Sequence, residues 1–95
     1  MKQKKYYIED KNGGMVSRAD NGFKSLIKAR EIARYFVKSP RYDLRITVTG
    51  GELGGGLSTA GYVGLMNDYS TYFFEDPHGY KFFLKKDGTL GKALN

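Results

Sequence analysis

Two acidic pairs, Glu9-Asp10 and Glu75-Asp76, and a single histidine, His78, carry the side-chain types that acid–base or metal chemistry uses. Each acidic pair closes a stretch rich in tyrosine, phenylalanine and isoleucine, so each falls at the end of an expected strand. If those strands lie side by side, four carboxylates gather and can hold a hard cation such as Mg²⁺ or Ca²⁺. That is the basis of one reading, a metal-dependent enzyme. The opposing reading is that carboxylates suit turns and blunt sheet edges. His78 has no second histidine to join it in a zinc site or proton relay, and it sits in an Asp-Pro-His-Gly turn. The sequence has no cysteine, which removes a thiol nucleophile, a thiolate zinc site and a disulfide framework. No catalytic residue, metal ligand or cofactor is assigned on these grounds, and an activity based on binding is expected.

Glycine is concentrated at the middle of the chain. Gly50, Gly51, Gly54, Gly55, Gly56, Gly61 and Gly64 fall within fifteen residues. Such a stretch has a high ordering entropy and is expected to form a loop over about residues 50–61. Its Gly51-Glu52-Leu53-Gly54-Gly55-Gly56-Leu57-Ser58-Thr59 run lacks the lysine of a phosphate loop, and no helix-forming segment follows it directly. A backbone nest for an anion is the chemistry left open there.

Charge divides at the same border. Residues 1–49 hold twelve Lys/Arg against five Asp/Glu, and residues 50–95 hold four against five, so the net charge of +6 lies in the first half. An acidic partner follows from this: an acidic protein surface first, nucleic acid second. The helix expected at Leu26–Lys38 presents Lys28, Arg34, Tyr35 and Lys38 opposite its apolar stripe, and these are the candidate binding residues. Glu31 stands three residues from both Lys28 and Arg34, the spacing of ordinary surface ion pairs.

Fourteen aromatic residues form the second candidate surface. Strand parity puts Tyr6, Ile8, Tyr72, Phe74, Tyr80, Phe82 and Leu84 on one face and Tyr7, Phe73 and Phe83 on the other. One helix covers one face only. The face bearing Tyr7, Phe73 and Phe83 is then covered by the glycine-rich segment, buried in a homodimer, or left as a platform on which nucleic-acid bases stack.

The elements that must position these residues follow from pattern. Lys5–Glu9 alternates as a strand, Lys11-Asn12-Gly13-Gly14 turns, and Met15–Arg18 returns as the second arm of a hairpin. Ser25 caps a helix whose Leu26, Ala29, Ile32, Ala33, Phe36 and Val37 share one side, and Pro40 ends it. Leu44–Thr49, Tyr62–Met66, Thr71–Glu75 and Tyr80–Leu84 read as strands, and Leu90 and Leu94 cover a sheet edge. The fold class is α+β: a single helix on one face of a mainly antiparallel sheet, in the order β-β-α-β, glycine-rich loop, β-β-β. At 95 residues, 1–95 is expected to be a single domain. No apolar run approaches the roughly 20 residues that span a bilayer, and no apolar segment follows the basic N-terminus, so a cytoplasmic protein is expected. The composition suits a small bacterial or phage accessory protein that regulates or inhibits a partner.

Overall fold

The computed structural model describes residues 4–14, 16, 22–40, 43–49 and 58–95. Among them one helix, α1 (Leu26–Phe36), packs on a six-stranded antiparallel sheet. The strands are β1 (Lys5–Glu9), β2 (Leu44–Thr49), β3 (Ser58–Leu65), β4 (Tyr72–Glu75), β5 (Lys81–Leu84) and β6 (Leu90–Ala93), and their spatial order is their chain order. This is the expected class, with two changes of detail. Leu90–Ala93 is a full strand beside β5 instead of a cover for its edge. β3 begins at Ser58, so Gly61 belongs to a strand and not to a loop. The rest of the expected loop, residues 50–57, lies outside the described residues, as do Met15, Ser17 and Arg18 of the expected hairpin arm. Val16 of that arm donates to the Ile8 carbonyl (3.1 Å), and Phe23 exchanges two 2.8 Å hydrogen bonds with Tyr6, so both occupy the outer edge of β1.

Local chemistry accounts for the turns. Asp10 and Asp76 play one part twice: the Oδ1 of Asp10 accepts from the amides of Asn12 and Gly14, and that of Asp76 from His78 and Tyr80. Gly13 and Gly79 then take the left-handed conformation (φ 86° and 93°) that reverses the chain. Tyr6-Tyr7-Ile8-Glu9-Asp10 with Gly13 is similar in sequence to Tyr72-Phe73-Phe74-Glu75-Asp76 with Gly79, and the two segments share this hairpin chemistry. At the β3–β4 turn a non-glycine residue, Tyr69, holds φ 60°.

The core lies between α1 and the sheet. Ile8, Leu44, Ile46, Val63, Phe74 and Leu84 point up from five strands and meet Ala29, Ala33 and Val37. Ser25 caps the helix by accepting from the Lys28 amide (3.1 Å). At the other end, the Tyr72 hydroxyl donates to the Val37 carbonyl (3.0 Å).

The helix is rolled by roughly 40° from the orientation its apolar stripe predicts, taking 100° per residue. Phe36, expected in the core, is 37% exposed, whereas Arg30 is only 9% exposed. The cause is a pair of cation–π contacts. The Arg30 guanidinium lies 4.9 Å from the Phe74 ring centroid and that of Arg34 lies 4.1 Å from Tyr72. Arg34 also donates from Nε to the Leu84 carbonyl (3.2 Å). No helix is long and apolar enough to cross a membrane among the described residues.

The two arginines differ in what would replace them. Arg34→Met should cost about 1–3 kcal/mol, because it loses a charged hydrogen bond and a ring contact. Arg30 has a buried Nε without a hydrogen-bond partner, and burial lowers its pKa. Arg30→Met keeps the bulk of the packing, and removing a buried charge offsets the lost contact with Phe74, so it should stay within about 1 kcal/mol of the parent. Urea unfolding of both variants checks the order; a larger loss from Arg30→Met would show that its charge, and not its bulk, supports the core.

Candidate functional site

The outward side of α1 displays three of the four candidate binding residues. Lys28 and Lys38 are exposed and Tyr35 is 69% exposed. Lys28 reaches Glu31 at 3.5 Å, an exposed pair of small energetic weight. Lys38 places its ammonium 4.5 Å from the centroid of the Tyr35 ring. Arg34, the fourth candidate, is turned toward the sheet by Tyr72 and Leu84 and is part of the packing. The roll of the helix brings out Phe36; periodicity gives neither it nor the exposed Ile27 a binding role. Ile27 is 46% exposed, and Phe36 meets Tyr35 edge to face, with centroids 5.7 Å apart. Lys24, the residue before the cap, is exposed as well. At 100° per residue Ile27 and Phe36 project to opposite sides of the helix, so Lys28 and Tyr35 lie between two apolar flanks.

The helix-free face of the sheet carries Tyr7, Phe73 and Phe83, as parity expects. Phe73 and Phe83 stand directly opposite one another on β4 and β5. Each of the three rings rests on a glycine. A Cβ added at Gly22 would lie 3.0 Å from the Tyr7 ring, at Gly64 2.5 Å from Phe73, and at Gly91 3.1 Å from Phe83. The Lys81 ammonium sits over Phe73, 5.0 Å from its centroid. Phe73 is therefore contacted by Gly64 and by Lys81, which leaves little ring face for a stacked base.

A charged row crosses the same face in register: Glu9, Arg45, Tyr62, Glu75 and Lys81, one from each of β1 to β5. Arg45 binds the largely buried Glu9 at 2.6 Å, and that contact raises the arginine pKa further above its ordinary value. Tyr62, 39% exposed, joins two shallow cavities. One, about 270 Å³, is lined by Asp10, Lys11, Asp43 and Arg45 with Tyr62. The other, about 370 Å³, adds Phe73, Glu75 and Lys81. A third hollow of about 640 Å³, lined by Thr71, Phe83, Lys85, Lys92 and Leu94, lies toward β6. Sequence reading gives Tyr62 no role, because the glycines around it obscure the parity of β3.

The two acidic pairs do not converge. β2 and β3 lie between β1 and β4, so Glu9 and Glu75 are about 14 Å apart at ~4.8 Å per strand. Glu9 is committed to Arg45, and Asp10 and Asp76 to their turns. Among the described residues, no group of three or more His, Cys, Asp or Glu is placed to hold a metal ion.

No family model, curated protein or solved structure matches this chain.

Among the described residues, the carboxyl group most favoured in its charged form is that of Asp68, beside Tyr69. Hydrogen bonds from the Thr71 hydroxyl (2.6 Å) and from the amides of Ser70 and Thr71 lower its pKa to about 2. The folded state thus holds the carboxylate charged well below its ordinary range. Its stabilising effect is complete above about pH 4 and disappears as the pH falls through about 2. Melting temperature should therefore fall less steeply with acid in Asp68→Asn than in the parent over that window. Parallel curves for the two proteins would show that this turn does not contribute to the acid response.

Proposed function

We propose that the protein is a small non-enzymatic binding module, regulatory or inhibitory, that docks the outer face of α1 on an acidic protein surface. The observation that carries this reading is the exposure of Tyr35 and Phe36, in edge-to-face contact at one end of a short helix, with Lys28 and Lys38 exposed beside them. Interfaces draw their energy from a central aromatic or aliphatic anchor shielded by a charged rim. The ammonium groups steer the module to a negative patch and fix its register there. A nucleic-acid partner would answer the positive charge equally well, but it has less use for an exposed apolar ring packed edge to face against a second one. The helix is held to the sheet along its length, so the strip meets its partner already ordered.

Lys28→Gln/Tyr35→Ala/Lys38→Gln should melt like the parent, since exposed pairs contribute only about 0–1 kcal/mol each. From nuclease-treated extract of the source cells, the parent should retain a discrete acidic protein that the triple variant loses. Purified, that protein should bind the parent at least about 30-fold more tightly than the triple variant, the effect of about 2 kcal/mol from one anchor. Equal binding of the two would overturn the reading. Salt-reversible retention of nucleic acid by the parent alone would replace the protein partner with a polyanion.

A further inference from the structure

We infer that the helix-free face of the sheet pairs with the same face of a second copy, about a two-fold axis parallel to the strands between β4 and β5. The inference concerns a surface separate from α1 and goes beyond the docking reading. Sheets pack face to face about 10 Å apart with strands nearly aligned, and a two-fold axis makes each contact occur twice.

The strand register fixes what this axis brings together. β4 of one copy lies over β5 of the other, so Phe73 meets Phe83 and Glu75 meets Lys81, because each pair is already level across the sheet. β3 lies over β6, which sets Tyr62 against Leu94. Tyr62 is level with Glu75, and the Leu94 amide bonds the Lys81 carbonyl at 2.8 Å. Asp43, which approaches Gly64 from the β2 side, falls beside Lys92 at the rim. Apolar residues thus meet apolar residues across the axis, and carboxylates meet ammonium groups.

Charge selects this occupant over others. The hollow beside β6 is lined by Lys85 and Lys92 without an acid, whereas two acids, Asp43 and Glu75, and one base, Lys81, line the cavity beside Tyr62. A polyanion would gain from the first and gain nothing from the second. A second copy, inverted by the axis, satisfies both. Four strands at ~4.8 Å spacing and about five residues in length give roughly 320 Å² in plan, so even with corrugation and rim contacts the interface is small. The dimer should therefore be weak, with a dissociation constant in the micromolar range or above.

The Asp43–Lys92 contact provides the test. Within one copy these residues lie on β6 and at the start of β2, about four strands or ~19 Å apart, so they cannot pair internally. Sedimentation equilibrium of the full chain from about 5 μM to about 1 mM should show a monomer–dimer equilibrium. Asp43→Lys and Lys92→Glu should each weaken it about tenfold or more, because like charges then meet at two equivalent places. The double variant should return to within about threefold of the parent, which no structural damage at either position would do. A monomer at every concentration would overturn the inference, as would single variants without effect or a double variant that only adds the two losses. Binding of a single-stranded oligonucleotide that Lys92→Glu abolishes would overturn it also, by giving the face to another occupant.

Discussion

Two arginines stacked on two aromatic rings determine how the helix and sheet meet. Arg30 and Arg34 are one helical turn apart, about 6 Å along α1. Phe74 and Tyr72 are two residues apart on one face of β4, about 6.7 Å. The repeats match closely enough for both cations to stack at once, at 4.9 and 4.1 Å. That match rolls the helix, moves Phe36 toward solvent and commits Arg34 to the interior. The exposed strip of α1 is what remains after the arginines are placed. Its ammonium groups are all lysine, the residue that keeps its charge hydrated on a flexible stem.

The opposite face is governed by glycine and aromatic pairs. Phe73 needs the space that Gly64 leaves, and Phe83 the space that Gly91 leaves. Rings laid flat on a neighbouring strand give the face a low relief. Hollows separated by Tyr62, Phe73 and Phe83 result, in place of one deep cleft. A shallow face of this kind suits a macromolecular surface better than a small molecule, which binds by being enclosed.

Much of this was legible in the sequence where a single physical rule acts locally. Period-two alternation placed Leu44–Thr49, and Ser25 with Pro40 bracketed the helix. Parity sent Tyr7, Phe73 and Phe83 to the helix-free side. What escaped depends on contacts between elements. A hydropathy stripe counts arginine as polar, so it cannot foresee Arg30 buried on Phe74. Glycine signals a loop through its backbone entropy, yet Gly61 lies in β3 because the Phe74 ring occupies the space above it. β6, with its Gly91 and Lys92, has little strand character of its own and forms because β5 offers it an edge. For the candidate site, Lys28, Tyr35 and Lys38 were legible as an exposed strip, but the exposure of Phe36 depended on the unforeseen roll.

The antiparallel order also has a consequence in time. β3 to β6 are joined by short turns, so their pairings close small loops and can form early. β1 meets β2 only after the helix lies between them in the chain, and their Glu9–Arg45 contact spans 36 residues. Closing that loop carries the larger entropy cost and yields the outermost pairing of the sheet. The C-terminal hairpins are thus expected to be the structured part of the folding transition state, with β1 joining last. Damage to the Asp76–Gly79 turn should slow folding, while damage at Arg45 should mainly hasten unfolding. Chevron plots showing the reverse would place the nucleus at the N-terminal half, where the positive charge is densest and collapse must work against repulsion.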